Sequence, residues 1–264
     1  MEQFQVAVVG SGFAGTILAR ILHRMGLSVV LIERQQHPRF AIGESSTPLA
    51  AICLERLAER YGFADLSWLA AYGRWVERMP QNRRGLKRGF TFFGHRASSS
   101  FADSPDNERR LLVAASPDDE VADCHWLRAD IDHFLVCQAI DEGVDYRDRF
   151  EILEVEQRDS GDWHLAGRRA GRAVEVMADL IVDGTGAGGL LSRALEIPPM
   201  RPEMRAFLER AAEYTLTPLS GMLRLATRAP GLAEPPSARR VLRRTGAEPD
   251  RMTDARARVL AAFA

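Results

Sequence analysis

The sequence predicts an α/β fold: a parallel sheet wound by helices, an antiparallel β layer joined to it, and a helical C-terminal segment. Three observations predict it. An apolar strand at residues 4–9 runs straight into Gly10-Ser-Gly12-Phe-Ala-Gly15, a helix, and a second strand that ends on Glu33. Three β-patterned stretches follow at 150–157, 162–166 and 172–177, separated by Ser-Gly and Gly-Arg turns. A further apolar strand, 179–182, ends on Asp183-Gly184-Thr185-Gly186 before a helix begins near Leu190. The strand–helix–strand order implies parallel pairing, because two parallel strands need a crossover of about helix length.

Each element has its own warrant. In the first helix, Ile17, Leu18, Ile21, Leu22 and Met25 recur at helical spacing. A polar loop then leads to Gly43-Glu44-Ser45-Ser46-Thr47-Pro48. Ser46 or Thr47 can cap a helix there, with Pro48 where a missing N–H costs nothing. Leu49, Ile52, Cys53, Leu57 and Tyr61 are expected to form that helix's apolar face. A second helix is expected over 66–72, and an aromatic, β-branched strand over 89–93. Residues 94–121 read as a long polar loop with one short strand at 111–114. A helix over 129–142 is closed by Gly143. Beyond Ile197-Pro198-Pro199 the composition turns to Ala, Leu and Arg, with helices expected at 201–213, 219–227, 237–245 and 252–263. The expected organisation is one domain over 1–199, carrying an insertion at about 62–121, and a helical segment over 200–264.

Bulk properties exclude several function classes. The 264 residues carry 35 Lys+Arg against 36 Asp+Glu, so no global charge points to nucleic acid or an anionic membrane. No apolar run is long enough to cross a bilayer, and no signal peptide is visible, so a cytoplasmic protein is expected. Cys53, Cys124 and Cys137 lack CxxC spacing and are read as reduced and mostly buried. The six histidines have no metal-ligand spacing and are read as structural or surface groups; no metal is expected.

The first 48 residues read as one continuous cofactor site, opened by a dinucleotide fingerprint that ends on Glu33. Gly10 permits the tight turn, Gly12 lets the main chain reach a pyrophosphate, and Gly15 lets helix and strand pack closely. Phe13 and Ala14 open the helix, whose N-terminus offers free N–H groups and partial positive charge to phosphates. Glu33, eighteen positions after Gly15, is placed to accept from a ribose hydroxyl, with Arg34 beside it. Asp183, Gly184 and Gly186 are placed to approach the cofactor from the neighbouring strand end, where glycine allows close backbone approach.

Together with Arg128-x3-Asp132-His-Phe-Leu, these features resemble the glutathione-reductase-like (Rossmann-type) FAD fold. The group closest in pattern is the flavin-dependent halogenases and their monooxygenase relatives. Gly43-Glu44-Ser45-x-x-Pro48 resembles the segment that halogenases place beside the flavin. Lys87, just before the aromatic strand at 89–93, sits where that family carries its catalytic lysine. The resemblance implies FAD, reduced by a separate flavin reductase, a halide ion, and an electron-rich aromatic or pyrrole-like substrate, free or bound to a carrier protein. In that chemistry a hypohalous acid must reach the substrate without loss to water, and a lysine amine directs it. The resemblance also implies flavin contacts from Gly43, Glu44, Ser45 and Arg128, with Glu44 framing its loop.

Plainer readings stand beside these. Lys87 lies in the basic run Arg83-Arg84-Gly-Leu-Lys87-Arg88, and such runs usually form a solvated or anion-contacting face. Residues 43–48 can be a helix cap alone, Arg128 can pair with Asp130 or Asp132, and Trp68 and Trp75 read as packing residues. The chain also lacks the family's Trp-x-Trp-x-Ile-Pro motif and its second flavin motif, a Gly-Asp followed by small residues. A shortened relative is therefore expected, with a sheet and loop missing between about Ile197 and Met204. A flavin hydroxylase or prenyl-reductase relative, and a non-catalytic FAD-binding remnant, remain as alternatives.

Overall fold

The computed structural model describes residues 2–197 except Ala97 and Ala115. The expected helical segment over 200–264 and the boundary at 199 lie outside the described residues. The chain opens with β1 (Glu2–Val9), α1 (Phe13–Arg24) and β2 (Val29–Ile32), then α2 (Pro48–Tyr61), α3 (Ala64–Trp68) and α4 (Tyr72–Arg78). Short strands follow: β3 (Arg84–Lys87), β4 (Gly89–Phe93), β5 (Arg110–Ala114) and β6 (Asp123–Trp126). The second half holds α5 (Arg128–Asp141), β7 (Asp145–Arg147), β8 (Phe150–Gln157), β9 (Trp163–Arg169), β10 (Arg172–Asp183) and α6 (Leu190–Ala194).

A six-stranded sheet in the order β7-β2-β1-β10-β9-β8 organises the fold. The strands β7, β2, β1 and β10 run parallel, while β10, β9 and β8 are antiparallel. The last four residues of β1 are all buried, as a central parallel strand requires. One face of the sheet packs Val6, Val8 and Leu31 against Ala19 and Leu22 of α1 and Ala139 of α5. Across the other face the antiparallel end folds back, and the Phe150 N–H donates to the Glu33 carbonyl at 3.0 Å. A third cluster joins α1 and α5 to α2, α3 and α4 and to β6 through Leu54, Phe63, Trp75, Trp126 and Ile131. Trp75 is fully buried and Trp68 packs against this cluster, in line with the packing reading. Arg20 ties the helices together from within: it forks onto Asp65 at 2.7 and 2.9 Å and onto Glu142 at 2.7 and 3.0 Å.

Four sequence expectations are corrected. The stretches 172–177 and 179–182 are one twelve-residue strand, β10, which pairs with β9 in its first half and with β1 in its second. The helix expected at 66–72 is two helices, α3 and α4, broken at 69–71. On α2 the buried residues are Leu54 and Ala58, whereas Leu49, Ile52 and Cys53 face outward. Finally, β3, β6 and β7 have no counterpart in the expected elements; at three or four residues each they carry too little periodicity to read. Among the described residues, no helix is long and apolar enough to cross a membrane.

Candidate FAD site

The carboxyl ends of β1, β2 and β10 open onto a cavity of about 470 Å³. Strand ends at this edge are the usual ligand position in an open parallel sheet. Gly10, Gly12, Glu33, Arg34, Arg128, Gly184 and Gly186, all expected cofactor residues, line it. The sheet register brings them together: Val9 stands opposite Ile32 on one side and Asp183 on the other.

The glycines act in different ways. Gly10 has φ +106°, and its N–H donates to Ile32 O at 2.7 Å. The Gly184 N–H donates to Val9 O at 2.7 Å, locking the two turns together. A Cβ on Gly15 would sit closer than 3.0 Å to the Gly10 carbonyl oxygen, so Gly15 is a packing residue between α1 and β1. A Cβ on Gly12 would meet only the guanidinium ends of Arg39 and Arg128, each at 3.8 Å. Gly12 is thus the turn residue that leaves main chain open to a ligand. It also occupies the N-cap of α1, where no side chain caps the helix and no acid stands in the first turn. Those N–H groups are left for an incoming anion.

Two arginines frame that opening, each held by a carboxylate. Arg128 forks onto Asp132 at 2.8 and 2.9 Å and donates to Ile42 O at 2.9 Å. Arg39 pairs with Glu33 at 3.1 Å and approaches Asp132 at 4.0 Å. Glu33 is buried. Its Oε2 accepts from the Ser11 N–H, the Ser11 hydroxyl and Arg39, whereas Oε1 accepts from the Gln35 N–H alone. A carboxylate oxygen offers about two acceptor sites, so Oε1 retains one.

Burial opposes ionisation of Glu33, but the Gln35 N–H, the Arg39 charge and the Ser11 bonds outweigh it and hold the carboxyl below its ordinary value of 4.5. A depressed folded value stabilises the fold above the unfolded pKa, and that stability is lost as pH falls through the folded value. Glu33→Gln is therefore expected to lower stability at neutral pH and to narrow the gap to wild type as acid is added. Urea midpoints measured from neutral pH down to about pH 3 check this; parallel midpoint curves would rule it out.

The remaining expected residues lie apart from the cavity wall. Phe13 stacks on Trp126 at 4.8 Å, Ala14 is exposed, and Gly15 is enclosed. Asp183 does not open onto the cavity: Oδ1 accepts from Thr185 N at 3.0 Å and from the Thr185 hydroxyl at 2.5 Å, and Oδ2 accepts from Leu191 N at 2.8 Å. It shapes its own loop. Gly43 has φ +102°, and Glu44 folds back to accept from the Gly43 N–H at 3.1 Å. Residues 44–46 lie along the edge of β6: Ser45 bridges His125, the Trp126 N–H donates to Glu44 O, and the Ser46 N–H donates to Cys124 O. Thr47 caps α2, accepting from Ala50 N at 3.3 Å. The segment is therefore a cap and also an edge strand.

Lys87 is not on a solvated face. It is 6% exposed, its Nζ donates to the Ser46 carbonyl, and that nitrogen stands 3.9 Å from the Phe90 ring centroid. Burial lowers its pKa, only partly opposed by Asp123. Sequence reasoning missed Ser11, Arg39 and Asp123. One signal was available: Lys87 is the single lysine among the 35 Lys and Arg residues of the chain. Every other basic position uses a guanidinium, which stays charged, whereas a buried amine can lose its proton.

The family model described as FAD dependent oxidoreductase matches residues 5–248. The chain belongs to the FAD-dependent oxidoreductases. Halogenases are among the proteins it is similar to, in keeping with the resemblance drawn from its motifs. It is 30% identical over 193 residues to tetracycline 7-halogenase of Kitasatospora aureofaciens, covering 73% of this chain and 33% of that one. It is 29% identical over 153 residues to monodechloroaminopyrrolnitrin halogenase PrnC of Pseudomonas fluorescens, covering 58% and 26%. The chain therefore spans a third or less of the length of these two relatives. Among solved structures, halogenase PltM in complex with phloroglucinol and FAD superposes with a TM-score of 0.63 at 28% identity, over 73% of this chain and 36% of that one. The open cradle at Gly12 and the uncapped start of α1 in this FAD-dependent oxidoreductase fit the diphosphate of that cofactor.

Proposed function

We propose that this chain carries the FAD site of a flavin-dependent halogenase that acts on an electron-rich aromatic or pyrrole-like substrate. The observation that carries the reading is an open glycine cradle, an uncapped helix start and Glu33, joined through residues 43–46 to a buried lone lysine: Gly43 lies beside Arg128 of the cavity, and the Ser46 carbonyl accepts from Lys87. The α1 N–H groups and Gly12 would hold the diphosphate, and Glu33 Oε1 would accept from the ribose. Arg128 and Gly43, which meet at the cavity edge, would face the isoalloxazine end with Ser45; Gly186, with nothing within 4 Å of where a Cβ would stand, would allow its close approach, whereas a Cβ on Gly184 would press on the Val9 and Gly10 carbonyls. Bound and reduced, FAD supplies the activation of oxygen in the presence of halide.

In this reading the Lys87 amine donates a hydrogen bond to hypohalous acid and orients it toward the substrate ring, while its burial keeps the oxidant from bulk water. The halide, a separate reductase that supplies reduced FAD, and a carrier-bound substrate belong to the same proposal. Support for the last comes from the pyrrole-2-carbonyl-[peptidyl-carrier protein] chlorinase of Pseudomonas fluorescens, 25% identical over 209 residues.

The visible spectrum of the purified chain tests the site. Titrated with FAD, it is expected to take up flavin near one equivalent and, with a supplied reductase, oxygen and chloride or bromide, to give halogenated product. Colourless protein that takes up no added flavin would sink the proposal. Oxygen insertion that ignores halide would favour the hydroxylase alternative.

A further inference from the structure

A second buried ionisable group faces Lys87 from the neighbouring strand. The antiparallel register of β3 and β6 sets Lys87 directly opposite Asp123, and opposed residues share a face. Residues 44–46 hold the far edge of β6, so the Lys87 side chain crosses over β6 to reach the Ser46 carbonyl. Asp123 is only 5% exposed, and its Oδ2 is fully enclosed with no hydrogen-bond donor among the described residues. An enclosed carboxyl without a donor is costly when ionised, and so is an enclosed ammonium with no close carboxylate. Placed on one face, each relieves the other.

The other charges around this pair are already engaged. Arg88, next in sequence, pairs with Asp119 at 2.9 Å on the surface. Arg84 of β3 donates to Pro80 O and Asn82 O, and Arg74 of α4 pairs with Glu55. Among the described residues, the Asp123 charge favours the Lys87 ammonium and the Lys87 charge favours the Asp123 carboxylate, each against the effect of burial.

Resting on the reading of Lys87 as the directing amine, we propose that Asp123 is its positioning residue, an enclosed carboxyl on the same face of the β3–β6 pair whose charge sets the proton affinity of the amine that Ser46 holds over β6. With one proton on the two groups, the proton rests either on Lys87, giving an ammonium facing a carboxylate, or on Asp123, giving a neutral amine facing a carboxylic acid. Burial lowers Lys87 and raises Asp123, so their proton affinities are drawn toward each other from opposite ends.

The lone lysine makes the test direct. The full chain, grown with lysine labelled with carbon-13 at Cε, gives one lysine resonance to follow against pH. In the wild type two inflections are expected: the amine's own, below the ordinary ammonium range, and a smaller one on the acid side as Asp123 titrates. In Asp123→Asn the acid-side inflection is expected to vanish and the amine inflection to move to lower pH, because the charge that favoured the ammonium is gone. A wild-type curve without the acid-side inflection, or an Asn curve that overlays the wild type, overturns the proposal. If the Asn variant does not fold, the wild-type curve alone decides. No flavin is needed, so the two readings can fail separately. Coupled titration in a chain that takes up no FAD refutes the functional reading, and uncoupled titration in a chain that halogenates refutes the role of Asp123.

Discussion

Gly15→Ala is expected to cost about 3 kcal/mol or more of stability, at the upper end of overpacking penalties because main chain must move. Its Cβ would press on the Gly10 carbonyl, and Val8 stands 3.5 Å away on the same side. Gly10 cannot retreat, since its N–H is bonded to Ile32 O at 2.7 Å and Gly184 is bonded to Val9 beside it. Gly12→Ala makes the contrast. Its Cβ would meet two flexible guanidinium ends at ordinary contact distance. Stability is expected to change by about 1 kcal/mol or less, as is usual where no packed group is disturbed. FAD affinity is expected to fall about 10- to 100-fold, each tenfold being about 1.4 kcal/mol, because a methyl group would stand where the diphosphate meets main chain. Urea unfolding and flavin titration on both variants separate the two roles. Unaltered FAD affinity in Gly12→Ala would remove the backbone cradle from the account.

Lys87→Ala is expected to lower halide incorporation by about 10²- to 10⁴-fold, the range for a positioned proton-handling group, while FAD binding persists. The second half holds because Lys87 lines no part of the cavity below Gly12. Lys87→Arg is expected to fail as well: a guanidinium does not give up its proton at working pH, and the enclosed position beside Phe90 suits a compact amine. Product yield with a supplied reductase and one equivalent of FAD checks both variants. Retained turnover in Lys87→Ala would take the lysine out of the mechanism.

The parts of this site legible in the sequence are those that one short segment specifies by itself. Gly10, Gly12 and Gly15 sit on a turn between a strand and a helix, and each serves a constraint set within six residues of chain. Thr47 and Pro48 are similar, since capping is a matter of the next three residues. Asp183 shows where such reasoning stops. Its place at a strand end beside glycines is sequence-visible, but its loop turns the carboxylate back onto Thr185 and Leu191. The face of α2 was likewise out of reach, because the apolar residues at 49, 52, 53, 54 and 58 offer more than one stripe, and packing against α3 within the shared core cluster selects Leu54 and Ala58.

By itself the sequence determined the βαβ unit, the glycine turn, the acid at the end of β2, the β8–β9–β10 run and the flavoprotein family those features imply. Only the tertiary structure decided that Arg39 and Arg128 converge over Gly12 from positions far apart in the chain, and that a lysine in a basic run is enclosed opposite Asp123. The physical reason is one of range. Periodicity, turns and caps are set by neighbours a few residues away, whereas burial, ion pairing and proton affinity are set by whatever the sheet register and helix packing bring alongside. For Lys87 that is Ser46 and Asp123, from two segments 36 or more residues away in the chain.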